Sequence, residues 1–177
     1  MEDISKAEIG VLNPAEVTNE DFMSRLTEPD RMNISSLISA FEKKMRERQQ
    51  KGGMMAIGGI MEKPLPRKDI DIRVVLETGR ARGDYDSQHE LAMDKFRALQ
   101  DIVSQILLEN HDMRITDVLE PTIDEEFQNP AILKHEGTIK IEKDGTTPIE
   151  LLNTTGSTFE EEVKRQRRPF AILARAA

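Results

Sequence analysis

The segment DIDIRVVLE, from Asp69 to Glu77, constrains the fold more than any other part of the chain. Successive side chains of a β-strand point to opposite faces, and in this segment polar and apolar residues alternate from Asp69 to Val74. One face carries only apolar side chains, namely Ile70, Ile72, Val74 and Leu76. The other face begins with Asp69 and Asp71, and burial of a carboxylate is costly unless its charge is compensated. We therefore expect either a cation or an open, solvated sheet face beside these two aspartates.

Composition narrows the class of protein. The length of 177 residues fits one domain, which we expect over residues 29–177, after an acidic and aperiodic arm at residues 1–28. The chain has no cysteine, so disulfides and thiolate metal sites are excluded. No apolar run approaches the roughly 20 residues that span a bilayer. The first ten residues lack the pattern of a signal peptide. We expect a cytoplasmic protein without a membrane partner.

Charge and aromatic content argue against broad nucleic-acid binding. The formal net charge is -8, whereas sequence-independent binding requires Lys and Arg to neutralise phosphates. Aromatic residues make up 4% and tryptophan is absent, which disfavours a base-stacking platform. A small polyanion held locally by metal ions remains compatible with this composition.

The first predicted helix begins near Asp30 and is followed by a short strand. Its apolar residues recur at helical spacing, at Met32, Leu37, Ile38, Phe41 and Met45. We expect Gly52 and Gly53 to end this helix. The segment MMAIGGI then predicts a buried strand that breaks at Gly58 and Gly59, and the prolines of MEKPLPRK predict a loop.

The second half of the chain predicts a long helix and a hairpin. Ser87 and Glu90 form a capping-box pattern at the start of a helix that runs to about Glu109. The segment GTIKIEKDGTTPIELLN predicts two strands joined by an Asp-Gly turn. Residues 112–136 are ambiguous, and the C-terminal PFAILARAA either joins the sheet or forms an apolar patch for a partner. The predicted fold class is α/β (α+β), a mixed sheet flanked by helices.

The two aspartates and the two glycines suggest one chemistry. Asp69 and Asp71 lie on the same side of a strand, within reach of one divalent cation. Mg²⁺ prefers oxygen ligands and commonly takes one or two carboxylates together with substrate phosphates, and Mn²⁺ is an alternative. At Gly58 and Gly59 the absence of side chains lets the backbone approach a phosphate closely.

These residues resemble a known family. Ile57-Gly58-Gly59, a spacer at residues 60–68, and Asp69-Ile70-Asp71-Ile72 are similar to the signature of the nucleotidyltransferase superfamily related to DNA polymerase beta. The resemblance implies a mixed sheet flanked by helices and transfer of a nucleoside monophosphate from an NTP to an acceptor. It also implies catalytic metal ions held by Asp69, Asp71 and a third carboxylate on a neighbouring strand.

The hairpin offers the third carboxylate. Its sequence resembles the hairpin of CCA-adding tRNA nucleotidyltransferases, in which an acid precedes a Thr pair, and this match implies Glu150. Glu142 on the other strand of the hairpin is the competitor. The long predicted helix between the two matching regions does not resemble a tRNA enzyme, so the acceptor stays open among protein, small molecule and RNA.

The chain departs from the family pattern directly after the glycines. Family members often have Ser and a basic residue there, whereas this sequence has Ile60 and Met61. Basic groups follow later, at Lys63, Arg67 and Lys68. Lys68 is the best candidate for a nucleotide contact, because it directly precedes Asp69.

Two other interpretations are compatible with the sequence. One is a nucleotidyltransferase-fold interaction protein with weak or lost catalysis, antitoxin-like or regulatory, that pairs with another protein or with a second copy. The other is an α/β binding module without nucleotide chemistry. Asp84 and Asp86 repeat the Asp-x-Asp spacing, but no apolar alternation surrounds them, so a loop is favoured there.

Overall fold

The computed structural model describes residues 13–62, 68–80, 82–124, 129–156 and 158–176. The strands are β1 (Glu16–Val17), β2 (Gly52–Ile57), β3 (Ile70–Leu76), β4 (Met113–Leu119), β5 (Thr122–Asp124), β6 (Asn129–His135), β7 (Thr138–Lys143), β8 (Ile149–Thr154) and β9 (Phe170–Ala176). The helices are α1 (Asn19–Ser24), α2 (Glu28–Glu47), α3 (Gly59–Glu62), α4 (Gln88–Glu109) and α5 (Phe159–Arg165). A short 3-10 turn covers Arg82–Asp84.

Seven of these strands form one mixed sheet. Their order is β1-β9-β2-β3-β8-β7-β4, and β5 pairs with β6 in a separate two-stranded ribbon. The β1–β9 and β3–β8 pairs are parallel, whereas the other pairs in the sheet are antiparallel. The predicted α/β class with a mixed sheet packed with helices is confirmed. Among the helices in the described part of the chain, none is long and apolar enough to cross a membrane.

One face of the sheet carries the main core under three helices, and the other face carries a smaller apolar cluster under one helix. The apolar face of β3 packs with α1, α2 and α4 in the main core, whose largest fully buried side chains include Phe22, Phe41 and Phe96. On the opposite face, Phe159 and Val163 of α5 form a smaller apolar cluster over β2, β3 and β9. The opposite face of β8 and β7, beyond this cluster, is therefore the part of the sheet where polar side chains accumulate.

The first long helix differs from the prediction at both ends. Thr27 caps α2 by accepting a hydrogen bond from the Asp30 backbone, and the helix ends at Glu47. Met32, predicted to be on the buried side, is 65% exposed. Gly52 and Gly53 do not end the helix but begin β2. A Cβ at Gly52 would lie 1.9 Å from the Val75 carbonyl oxygen, so the close pairing of β2 with β3 explains a glycine there.

The predicted strands and turn of the hairpin are confirmed, and the C-terminal segment forms a strand of the sheet rather than an apolar patch. Lys143 and Thr146 close the turn between β7 and β8 with a backbone hydrogen bond of 3.1 Å. The segment PFAILARAA contributes β9, which pairs with β1 and β2 and is largely buried, so it joins the sheet. Of residues 112–136, most are extended, and β6 includes Pro130, which is tolerated in a two-stranded ribbon.

Residues 13–28 of the predicted N-terminal arm contact the domain. β1 adds to the edge of the sheet beside β9, and Phe22 of α1 is fully buried in the main core. Residues 1–12 of the arm lie outside the described residues, as do Lys63 and Arg67 of the proline-containing loop.

Asp30 of α2 is hydrogen-bonded to the hairpin that carries Glu150. Its buried carboxylate accepts hydrogen bonds from the backbone N–H and the hydroxyl of Thr147, both at 2.7 Å. Because Asp30→Ala leaves both donors without this acceptor, we expect the free energy of unfolding to fall by about 1–3 kcal/mol. Urea denaturation measures this change. Glu28→Ala in the same helical turn is the exposed control and should change stability by less than about 0.5 kcal/mol; equal effects would contradict the anchoring role.

Candidate functional site

The site lies on the partly uncovered sheet face, where the strands bring four residues into one transverse row. Asp71 of β3 is opposite Ile57 of β2 on one side and opposite Glu150 of β8 on the other. Glu150 is in turn opposite Lys140 of β7. Residues that are directly opposed on neighbouring strands project to the same face, with strands about 4.8 Å apart. The structure therefore places Asp71, Glu150 and Lys140 side by side.

Asp69 completes the cluster through an ion pair. It precedes β3, and its carboxylate oxygen Oδ1 lies 3.3 Å from the Lys140 ammonium nitrogen. The two side chains are 23% and 32% exposed, so solvent screens this pair incompletely. The hydrogen bond to Asp69 is also the largest reason why the pKa of Lys140 is raised, followed by the charge of Asp69; smaller contributions come from Glu150 and Glu142. Lys140 thus places a cation beside Asp69, which is one of the two alternatives expected for this strand face.

The carboxyl group of Asp71 has a strongly raised pKa. Burial against the sheet raises its pKa to about 6, and the negative charges of Glu150 and Asp69 add to this effect. The charge of Lys140 opposes it. An ionised Asp71 is therefore under-compensated in the described structure, and a further cation at this point would stabilise its charged form.

Gly58 brings backbone against the Asp71 carboxylate. Its φ of +82° lies in the left-handed region, and a Cβ at this position would lie 2.6 Å from Asp71 Oδ2. The chain can thus turn from β2 into α3 directly beside the carboxylate only because residue 58 has no side chain. A Cβ at Gly59 would meet no atom within 4 Å, so the space beside the second glycine is open.

Two adjacent carboxylates form a donor set that fits a hard divalent cation completed by oxygen ligands from outside the chain. Asp71 and Glu150 are adjacent, carry oxygen ligands, and repel each other in the absence of a cation. Such a pair matches the one or two carboxylates by which Mg²⁺ is commonly bound. Within the described residues, however, no three His, Cys, Asp or Glu side chains are arranged to hold one ion. Asp69 is paired with Lys140 instead. Its carboxylate would have to leave Lys140 before it could act as a third ligand of a cation bound by Asp71 and Glu150.

The two candidate glutamates occupy different places. Glu150 is directly opposite Asp71 and is the carboxylate that acts most strongly on its pKa. Glu142 lies two residues after Lys140 on β7 and is opposite Arg114 of β4, the edge strand of the sheet. Lys68 is exposed and directly precedes Asp69 in the chain. The structure thus brings Glu150, rather than Glu142, next to the aspartates.

Lys140 is a site residue that the sequence pattern did not single out. It lies in TIKIE, where its alternation with two isoleucines indicates only a polar strand face. The register of the predicted hairpin could have identified Lys140 as a neighbour of Glu150. If the Asp-Gly turn closes the hairpin, Ile141 pairs with Ile149, and Lys140 must then lie opposite Glu150.

Replacing Lys140 tests whether it occupies the place of a divalent cation. Lys140→Met removes the positive charge beside Asp69 and Asp71, so we expect Mn²⁺ to bind roughly 5-fold more tightly to the protein when no other ligand is added. Titration of Mn²⁺ followed by electron paramagnetic resonance measures the affinity. Lys143→Met, which removes an ion pair with Asp112 on the same strand, is the matched control. Weaker Mn²⁺ binding to Lys140→Met than to Lys143→Met would contradict this role.

Comparison with known proteins adds no family. No protein-family model matches the sequence, and no curated protein is significantly similar to it.

Proposed function

We propose that the protein is a Mg²⁺-dependent nucleotidyltransferase that moves a nucleoside monophosphate from an NTP to a hydroxyl-bearing acceptor. The observation that carries the proposal is the register that sets Asp71 against Glu150, with the Gly58 backbone on the other side of Asp71. The resemblance of Gly58-Gly59 and Asp69-x-Asp71 to the nucleotidyltransferase signature supports the same activity.

Each residue has a defined part in this reaction. Asp71 and Glu150 would hold the divalent cation, with Asp69 joining them when it leaves Lys140. The cation, when bound, neutralises phosphate charge and orients the triphosphate. The N–H groups that follow Gly58 and the ammonium group of Lys68 would contact phosphate oxygens. Lys140, once separated from Asp69, can pair with a phosphate as a point charge.

The transfer step balances without any further reactant. The acceptor oxygen forms a bond to the α-phosphorus while the bond from that phosphorus to the bridging oxygen of the β-phosphate breaks, and pyrophosphate leaves. The acceptor proton passes to the carboxylate of Glu150 and then to solvent. Catalysis therefore rests on positioning and on neutralising charge that is already present in the triphosphate.

Two measurements test the proposal. Isothermal titration with each NTP in the presence of Mg²⁺ should show saturable binding. Mass spectrometry of candidate acceptors, with the protein itself included, should show the added mass of a nucleoside monophosphate and release of pyrophosphate. Failure of all four nucleotides to bind would refute the proposal.

Glu150 and Glu142 provide an internal comparison within the same hairpin. Glu150→Gln should lower the transfer rate about 100-fold or more, because several kcal/mol of charge stabilisation depend on the cation site. Glu142→Gln, with the same change in charge, should stay within about 3-fold of the unmodified protein. Equal losses in both variants would show that net charge, rather than the Asp71–Glu150 pair, governs activity.

An interaction protein with weak or lost catalysis is the second candidate. The ion pair between Lys140 and Asp69 favours it, because an internal cation fills part of the place that a catalytic metal requires. NTP binding without any transfer product, together with a second copy or a protein partner that masks the cluster, would favour this alternative.

A further inference from the structure

A cavity of about 430 Å³ opens on the sheet beside the carboxylate cluster. Arg73, Leu152 and Thr138 line it from the sheet, and Lys134, His135 and Thr155 line it from β6 and the end of β8. Its volume lies in the range of sites for small molecules. None of the residues assigned above to phosphate or cation binding lines this cavity, so it is a separate compartment.

Strand register fixes the position of the cavity relative to the cluster. Arg73 is opposite Leu152, and Leu152 is opposite Thr138, so the three form a transverse row. This row lies two residues from the row of Asp71, Glu150 and Lys140 on each strand, after it on β3 and β8 and before it on the antiparallel β7. Two residues along a strand span about 7 Å, and both rows project to the same face. A molecule in the cavity can therefore reach the carboxylates with its far end.

The polar groups of the cavity favour an anion. Arg73 is held by one long ion pair, 3.8 Å from Glu162, and its Nε–H is buried without a hydrogen-bond acceptor among the described residues. Lys134 adds a second cation at the exposed rim. The one acid that lines the cavity within the described chain is Glu136, and its carboxylate already accepts hydrogen bonds from the N–H and hydroxyl of Thr155.

The cavity and Gly58 lie on different sides of Asp71. Gly58 follows β2, whereas the cavity is lined mainly by residues of β6, β7 and β8 and by those that directly follow β6 and β8. In a displacement at phosphorus the attacking and leaving oxygens are roughly in line, so donor and acceptor must approach from different sides. If the triphosphate lies along Gly58, the cavity is on the side from which an acceptor would attack.

We infer that this cavity is the acceptor subsite and that it takes a small hydroxyl compound with a phosphate monoester, of the size of a sugar phosphate. The inference rests on the proposed nucleotidyl transfer. The guanidinium of Arg73 turns toward the cavity and binds the phosphate through two parallel hydrogen bonds, which also gives its Nε–H an acceptor. The far hydroxyl of the acceptor then lies at Asp71 and Glu150, where its oxygen attacks the α-phosphorus, its proton leaves to Glu150, and pyrophosphate departs.

Binding of ribose 5-phosphate without nucleotide or metal tests the inference. Isothermal titration should show saturable binding of ribose 5-phosphate with a Kd of about 1 mM or below, and no binding of ribose. Arg73→Gln should weaken this binding about 10- to 100-fold, the range that hydrogen bonds to charged groups support. Lys134→Gln, an exposed change that leaves the core intact, should weaken it about 3-fold. Arg114→Gln, which removes an exposed arginine at the sheet edge, is the matched control and should have no effect.

The outcomes separate the inference from the proposed function. Asp71→Asn should lose Mg–ATP binding and keep ribose 5-phosphate binding. A protein that binds Mg–ATP but not ribose 5-phosphate at about 10 mM overturns the acceptor subsite and leaves nucleotidyl transfer standing. A protein that binds ribose 5-phosphate but no Mg–NTP overturns both the acceptor subsite and nucleotidyl transfer. Without a bound NTP as nucleotide donor, the cavity is only an anion site. If a phosphorylated trinucleotide binds more tightly than ribose 5-phosphate, the acceptor is the end of an RNA and not a small molecule, and the inference is overturned.

Discussion

Asp71→Asn is expected to lower nucleotidyl transfer by about 10²- to 10⁴-fold and to abolish detectable Mg–ATP binding. The charge of Asp71 faces Glu150 and would hold the cation on which several kcal/mol of transition-state stabilisation depend. Isothermal titration and the rate of pyrophosphate release measure the two effects. Asp86→Asn, in the loop that repeats the Asp-x-Asp spacing, should leave both within about 3-fold of the unmodified protein.

The same variant should not lower the stability of the metal-free protein. The pKa of Asp71 is raised from 3.8 to about 6 in the folded chain, so the folded state binds more protons than the unfolded state between these values. The contribution of Asp71 to stability is therefore present below pH 3.8 and is lost as the pH rises through about 6. At pH 7 we expect Asp71→Asn to match the Tm of the unmodified protein or exceed it by up to about 3 °C, since partial exposure limits the effect.

Thermal unfolding at low and neutral pH checks this sign. The Tm difference between Asp71→Asn and the unmodified protein should shrink as the pH falls from about 6 to 3.8, because Asp71 becomes protonated in the folded protein over this range. A marked loss of stability at pH 7 would instead identify Asp71 as a structural residue and remove the main reason for placing a cation there.

Gly58→Ala is expected to destabilise the protein by about 2–4 kcal/mol and to weaken Mg–ATP binding more than 10-fold. The left-handed backbone at Gly58 costs roughly 1–2 kcal/mol for alanine, and its Cβ would lie 2.6 Å from Asp71 Oδ2. The contact forces the Asp71 carboxylate to move, and overpacking of this kind adds about 1–2 kcal/mol. Urea denaturation and isothermal titration with Mg–ATP measure the two losses.

Gly59→Ala is the matched control for this position. Residue 59 begins α3, and a Cβ there would meet no atom within 4 Å, so stability should stay the same or rise by up to about 1 kcal/mol. Combining Gly58→Ala with Asp71→Ala separates the two causes, because the second change removes the contact but not the backbone strain. If the changes in unfolding free energy of the two single variants simply add in the double variant, a Cβ at residue 58 does not contact the Asp71 carboxylate in solution.

The sequence alone determined those features of this protein that depend on neighbouring residues. Alternation set the two faces of β3, and Ile70, Ile72, Val74 and Leu76 are buried as the pattern predicts. Val75 on the other face is buried as well, because it packs in the smaller cluster with Phe159 and Val163. The Asp-Gly turn set the β7–β8 hairpin, and the break after β2 was visible in Gly58. Each of these follows from a local period or from a backbone conformation that few residues adopt, so a short window of sequence suffices.

The tertiary structure alone decided how the separate segments meet. The parallel register of β3 and β8 places Asp71 opposite Glu150, and no local pattern distinguishes this register from one that favours Glu142. The same register carries Lys140 to Asp69 and builds the cavity over Arg73. Strand pairing between distant segments depends on how all helices and strands fill the core together, so the sequence supplied the charged groups and only the assembled sheet determined which of them became neighbours.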